Sequence, residues 1–320
     1  IDLVNATGYG LTSALESLDR REQEHWQKRV KAGNLYVNRG TTGAMVLRQP
    51  FGGMGKSALG AGIKVGGPNY LVQFMAFDEA DFPRIGPLSR ESPLLSVIQE
   101  WEIKLVWGRL KEWRTDLEKT VFGVRSCLYW MEEAFSREKD YFKLRGQDNI
   151  FRYLPYDHVL IRVHEQDSLF EVLTRVAAAR IAGCKTVLSI RPGTRSPAAR
   201  FLNTADGIRF LDGLAPQEQT DEDLIRTVSR GPLIRYAASD RVPMKVYEAA
   251  AERGCHISCD PVLMEGRIEM IRYFHEQSLC NTYHRYGNLG QHKDVPPSTQ
   301  PKDPCLSSHC RCPKEQFQCL

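Results

Sequence analysis

The 320 residues are enough for two domains, and 42% hydrophobic with 26% charged residues is globular composition, which excludes a wholly disordered chain. Lys and Arg number 43 and Asp and Glu 39, leaving +4 spread along the chain, too weak a balance for a nucleic-acid partner or an anionic membrane surface. No apolar run reaches the roughly 18 residues that span a bilayer, and the first residues lack the basic start, apolar core and cleavage site of a secretory leader.

The chain begins at Ile1, in the middle of a pattern, as a fragment would. Four of its 9 cysteines, Cys305, Cys310, Cys312 and Cys319, crowd into the last stretch. The body is therefore not disulfide-rich and reads as a protein of a reducing compartment, the cytoplasm.

In chain order, Asn5 to Gly10 reads as a helix end and turn, and Leu11 to Ser17 alternates in period two as a strand does. Asp19 is placed to cap a polar helix that runs to Lys31, with Gly33 at its C′ position and Trp26 and Val30 as its buried face. Asn34 to Asn38 is a short strand, and from Gly40 to Gly67 the glycines are too dense for a regular element. Pro83, Pro87 and Pro93 mark a linker. Apolar residues from Leu94 to Val121 then recur at helical spacing, predicting two or three amphipathic helices that end near Phe142, with Trp101 and Trp113 as packing core.

From 151 to 290 strands and helices alternate. Strands are expected at His158–Val163, Lys185–Ile190, Ile208–Leu211, Leu233–Ala237 and His256–Ser258. Helices are expected at Ser168–Ala182, stopped by Gly183, and at Asp221–Ser229, Pro243–Arg253 and Glu265–Leu279. Repeated βα units of this length imply a parallel sheet covered by helices, hence an α/β fold. Five prolines and no periodicity make the last stretch a disordered or locally ordered tail.

Several motifs fall short of the chemistry they evoke. Gly52-Gly53-Met54-Gly55-Lys56-Ser57 ends like a phosphate-binding loop, but Pro50 stands at the first glycine position and Gly60 and Gly62 follow instead of a helix. No stretch matches the dinucleotide fingerprint. The turn after His158–Val163 is His164-Glu165-Gln166-Asp167, which has no glycine and carries two acids, so a structural or partner-binding sheet is favoured over a nucleotide site. Cys255 and Cys259 have a legal zinc spacing but lie in a strand-like segment with no second ligand pair, and the loose tail cluster of cysteines with His309 has no C-x-x-C pair. Cys127, Cys184 and Cys280 lie in or beside regular elements, where a thiol is usually inert. Thr41 to Met45, followed by Gln49-Pro50-Phe51-Gly52-Gly53, could aim backbone N–H groups at a carboxylate and pack an aromatic ring on the same ligand.

Asn5-Ala6-Thr7-Gly8-Tyr9-Gly10-Leu11-Thr12, Ala32-Gly33-Asn34-Leu35-Tyr36-Val37-Asn38-Arg39, Thr42-Gly43-Ala44, Gln49-Pro50-Phe51-Gly52-Gly53 and Gly66-Gly67-Pro68-Asn69-Tyr70-Leu71 resemble, in order and spacing, the C-terminal end of an aldehyde dehydrogenase. Arg39 and the Gly43-Ala44 pair ahead of Gln49 point to the L-glutamate-γ-semialdehyde (1-pyrroline-5-carboxylate) dehydrogenase branch. Phe135 to Glu138, Leu144 to Asn149, Phe151 to Pro155, Pro261 to Arg267 and Tyr283 to Leu289 resemble the C-terminal extension of long bacterial proline utilization A proteins, which fuse proline dehydrogenase to the semialdehyde dehydrogenase.

The resemblance implies four regions: residues 1–77 as the end of the aldehyde dehydrogenase domain, 78–150 as a helical connector, 151–292 as a Rossmann-like accessory domain without catalytic residues, and 293–320 as the tail. It implies substrate-binding roles for Gly43 and Ala44, whose backbone would hold the α-carboxylate, and for Phe51 beside the aldehyde chain. It further implies NAD for the parent's aldehyde site, FAD for a parent with proline dehydrogenase, a homo-oligomeric parent, and peripheral membrane association through the proline dehydrogenase. In the family the nucleophilic cysteine, the oxyanion donors and the glutamate on the nicotinamide ribose precede the matching segment, so this chain is expected to be inactive alone. The tail from about Lys293 matches nothing in the family, and a shifted reading frame would account for its prolines and cysteines. The competing reading is a non-catalytic interaction or oligomerisation module built on 151–290.

Overall fold

The computed structural model describes residues 1–283 apart from Leu59, Ala80, Arg90 and 228–232. The expected disordered tail, 293–320, lies outside the described residues, as does the Ser229 end of one expected helix.

The chain opens with α1 (Asp2–Ala6), β1 (Tyr9–Gly10), β2 (Thr12–Leu15), α2 (Arg20–Arg29), β3 (Asn34–Val37) and β4 (Met54–Gly55). The side chain of Asp19 caps α2 by accepting from the Arg21 amide, and Trp26 and Val30 are buried as expected. Gly33 does not end this helix; Val30 is its extended C-cap. Gly33 is required by packing, since a Cβ there would lie 1.8 Å from the Gly52 carbonyl oxygen.

Two helices follow the prolines, α3 (Pro93–Val106) and α4 (Arg114–Trp130), and a π turn extends α4 to Phe135. The helical stretch ends there, short of Phe142. Trp101 is fully buried, stacked on Phe210 and edge-on to Phe201, so the tryptophan spacing does reflect packing core.

Then come β5 (Lys139–Asp140), β6 (Gln147–Pro155), β7 (His158–Val163), α5 (Leu169–Ile181), β8 (Lys185–Ile190), α6 (Pro197–Leu202), α7 (Ala205–Leu211), β9 (Gln217–Glu218), α8 (Asp221–Thr227), β10 (Leu233–Arg235), α9 (Met244–Arg253), β11 (His256–Ser258), α10 (Gly266–Glu269) and β12 (Phe274–Thr282). Ser168 and Glu171 form a capping box that starts α5, and Gly183 follows its end at φ 85°.

Two expectations fail here. Ile208–Leu211 is the last turn of α7, started by Thr204 accepting from the Gly207 amide and stopped by Asp212 in the left-handed region. Glu265–Leu279 is a helix only for its first turns. After Tyr273 the chain extends into β12, whose backbone is claimed on both sides by other strands.

Strands β7 to β11 form a parallel five-stranded sheet in the order β11-β10-β7-β8-β9. This is the order of a doubly wound parallel sheet, with its switch point between β7 and β10. The second five-stranded sheet runs β2-β3-β12-β6-β5. In it β12 lies parallel to β3, with Leu279 opposite Leu35, and antiparallel to β6 over nine residue pairs from Phe274–Pro155 to Thr282–Gln147. Strand β6 crosses position 150, so the helical stretch passes into the βα stretch inside a strand that sequence periodicity left unassigned.

Candidate functional site

The residues singled out as substrate-binding lie in the segment between β3 and β4. Asn38, Gly43 and Leu47 take positive φ there, and the Gly43 value of 96° is one a side chain rarely adopts. A reciprocal backbone pair between Met45 and Gln49 folds the segment back on itself, and a second pair joins Phe51 to Val65. Gly43 and Ala44 are exposed at the tip. Among the described residues neither backbone N–H donates to a protein acceptor. Phe51 is partly exposed, paired with Val65, which is also exposed. The structure thus places two available amides and an accessible aromatic face on one loop.

The loop is held from beneath. Arg39 donates to the Thr42 carbonyl at 3.0 Å and to the Cys280 sulfur at 3.1 Å. Gln49 is fully buried, with its amide 2.9 Å from Asn149 and 3.0 Å from Cys280 Sγ. The amide orientation that satisfies its neighbours donates to the Gly43 carbonyl and accepts from Arg39 Nη1 at 2.9 Å. Ser278 Oγ donates to the Pro50 carbonyl at 2.9 Å, and Arg48 donates to Gln147 at 2.6 Å. Every one of these partners from beyond the loop comes from β6 or β12.

A buried polar cluster extends the grip. The Lys64 ammonium donates to Asn34 Oδ1 at 2.8 Å and to the Gly52 carbonyl at 2.5 Å, and its backbone N–H donates to Glu276 at 2.8 Å. Glu276 also accepts from Asn69 at 2.6 Å, and Asn69 donates to Tyr153 Oη at 2.7 Å and accepts from Arg267 at 2.6 Å. Burial pulls the Lys64 ammonium down to about 7 against the attraction of Glu276. Burial pushes the Glu276 carboxyl up, opposed by Asn69 and the Lys64 amide.

Sequence reasoning found the loop and missed its supports. Cys280, expected to end a helix, is in β12 and points at the loop. The alternation of buried Asn149, Phe151 and Tyr153 was the signal that could have revealed β6.

Nucleophilic and cofactor chemistry are poorly served by what is described. Burial pushes the Cys127 and Cys280 thiols up, and the Cys184 thiol up to about 12, the wrong direction for a thiolate. The start of α5, where a parallel sheet would present N–H groups to a dinucleotide, is filled by the chain's own acids. Asp167 accepts from the His164 amide, Glu171 from the Ser168 amide and Asp116 from the Leu169 amide, and no glycine opens the turn. This turn does not fit the pyrophosphate of NAD or FAD. Among the described residues, no helix is long and apolar enough to cross a membrane.

Residues 1–78 match the aldehyde dehydrogenase family model. The chain is 55% identical over 71 residues to the bifunctional protein PutA of Rhizobium meliloti, covering 22% of this chain and 6% of that one. It is 27% identical over 263 residues to PutA of Klebsiella aerogenes, covering 79% of this chain and 17% of the relative. It is 47% identical over 75 residues to the 1-pyrroline-5-carboxylate dehydrogenase of Bacillus subtilis, covering 23% of this chain and 14% of the relative. The structure of proline utilization A from Corynebacterium freiburgense superimposes with a TM-score of 0.63 at 28% identity, over 88% of this chain and 24% of that one. The chain therefore spans less than a fifth of the length of these curated relatives. The family match falls on the loop-bearing segment, residues 1–78, and the likeness to the proline utilization A structure extends over 88% of the chain.

Proposed function

We propose that this chain supplies the substrate-carboxylate end of an NAD-dependent L-glutamate-γ-semialdehyde dehydrogenase of proline catabolism, in a cytoplasmic, oligomeric parent that also carries an FAD-dependent proline dehydrogenase. The observation that carries the reading is the loop itself: Gly43 and Ala44 present two exposed amides with no protein acceptor among the described residues, beside Phe51.

The geometry supports a division of labour. The α-carboxylate of the semialdehyde would accept from the Gly43 and Ala44 amides, with Phe51 along the aliphatic chain. Gln49 and Arg39 fix the loop from below, so the amides are oriented before substrate arrives. In this reading residues 1–77 close the dehydrogenase domain, 78–150 connect, and 151–292 form an accessory domain that reaches back through β6 and β12 to brace the loop. NAD, when bound to the complete enzyme, accepts the hydride; this chain's residues position the acid end of the substrate.

The test is a chimera in which residues 1–78 replace the matching C-terminal segment of a 1-pyrroline-5-carboxylate dehydrogenase. It should form NADH from the semialdehyde. Ala44→Pro removes one amide donor and should raise KM by about tenfold with little change in kcat. An unchanged KM would sink the anchor role. The full chain alone should form no NADH, and detectable NADH would refute the division of labour.

A further inference from the structure

The parallel sheet has a cavity of about 310 Å³ at the C-terminal ends of β7, β8 and β10, around the switch point. Arg162, Arg191, Asp221, Tyr236 and Arg241 line it, with the turn at Gly193 forming one wall. Such a position collects ligands in open α/β sheets because the loops diverge there.

Two buried donors in this wall lack partners. Tyr236 is 1% exposed, and among the described residues its hydroxyl has no hydrogen-bond partner. Arg241 Nε is likewise buried and unpaired, although the same guanidinium holds Asp167 at 2.7 Å and Glu171 at 3.0 Å. A buried donor left unpaired is costly, so the arrangement asks for an acceptor from outside the chain. The charges agree on its sign. Arg162 is committed to Ser189, the Gln219 carbonyl and Asp221. Arg191 is mostly exposed at the rim and 3.8 Å from Asp221. Of the three lining arginines, Arg162 is bonded to Asp221 and Arg241 to Asp167 and Glu171, so Arg191 is the guanidinium available to counter an anion.

A dinucleotide is the wrong occupant, since the amides that would take its pyrophosphate are already bonded: those of Ser168 and Leu169 at the start of α5 to Glu171 and Asp116, and that of His164 in the preceding turn to Asp167. We propose that this cavity binds a small molecule through one oxyanion group, a carboxylate or a phosphate, which accepts from Tyr236 Oη and Arg241 Nε and is countered by Arg191. Both sources share the acceptor chemistry, and a cavity at the lower end of the range of ligand pockets suits a small molecule rather than a polymer.

The full chain should be titrated calorimetrically with inorganic phosphate and with acetate at fixed ionic strength. One of the two should saturate in the millimolar range or below, and the tighter of them assigns the ligand as phosphorylated or carboxylic. Tyr236→Phe should weaken that binding about fivefold to tenfold while leaving the melting temperature of the free chain unchanged or higher, because it deletes an unpaired buried hydroxyl. Arg191→Ala, at an exposed rim position, should weaken it about tenfold without unfolding the chain. Absence of saturable binding by both anions, or wild-type affinity in either variant, overturns the proposal.

Discussion

The two five-stranded sheets are built from the same kinds of residue but reached by different routes. The parallel sheet is assembled from one run of chain, each strand after the first preceded by helix, with every strand between His158 and Ser258. The mixed sheet draws β2 and β3 from the first 37 residues and closes them with β12, more than 200 positions away. The first sheet carries its instructions locally. The second exists only when distant segments meet, and the candidate substrate loop is fixed by that meeting. A catalytic segment and its brace can therefore be far apart in sequence and share one hydrogen-bonded ladder.

The sharpest way to break this contrast is at the crossing point of loop and strand. In Gly33→Val the new side chain has no room, because even a Cβ would fall 1.8 Å from the Gly52 carbonyl oxygen. The expected loss is about 4–5 kcal/mol, at the upper end for single substitutions. Hydrogen exchange should show lost protection at 34–37 and 274–282, while 158–163 keeps its protection. Uniform loss across both sheets would mean that they form a single cooperative unit.

The matching perturbation of the parallel sheet is Arg235→Met. Arg235 in β10 and Glu269 in α10 are both fully buried and 3.1 Å apart. Burial pushes the Glu269 carboxyl up, but Arg235 and Arg272 outweigh it and hold the group below its ordinary value. Removing the arginine leaves the buried carboxylate with Arg272 at 3.4 Å as its remaining cation, beside the Tyr273 hydroxyl and the Leu263 amide, at a cost of about 3–4 kcal/mol. Denaturation should report a large loss, with the protection pattern reversed: β7 and β10 exchange faster than β3. Adding Glu269→Gln should recover part of the loss, because no unpaired charge then remains.

How much was legible follows the same divide. Asp19, the Ser168–Glu171 box and Gly183 are local signals, and the elements they bound were readable from sequence. Strand β12 was not. Residues 274–279 follow a helical turn and are buried on both faces, so neither period marks them, and only pairing with Leu35 and Ile150 makes them a strand. For the candidate site, Gly43, Ala44 and Phe51 were legible as a loop with anion chemistry. Gln49 stands in a recognisable motif that gives no sign of its role, and Cys280, Asn149 and Glu276 are invisible as supports, since their role depends on a register that no short window of sequence contains.

The smallest effect lies at the seam between the loop and β12, and is read through pH. Lys64 is fully buried, and its ammonium is pulled down to about 7 from 10.5 chiefly by burial. Between those values the unfolded chain holds a proton that the native chain has released, so stability rises with pH across this window and is unaffected by Lys64 below it. Glu276 acts with the opposite sign at lower pH. Its carboxyl is pushed up from 4.5, so its contribution is full below 4.5 and declines as pH rises through the folded value. The seam should accordingly be weakest near neutrality. Comparing wild type with Lys64→Met by urea denaturation on either side of pH 7 isolates the lysine. Wild type should gain about 1–3 kcal/mol relative to the variant as pH rises toward 10. A constant difference across the window would mean that the ammonium stays charged in the folded chain, with Glu276 as its full counter-ion. The loop would then be held by an ion pair, and its grip would be insensitive to alkaline pH until Lys64 titrates near its ordinary value.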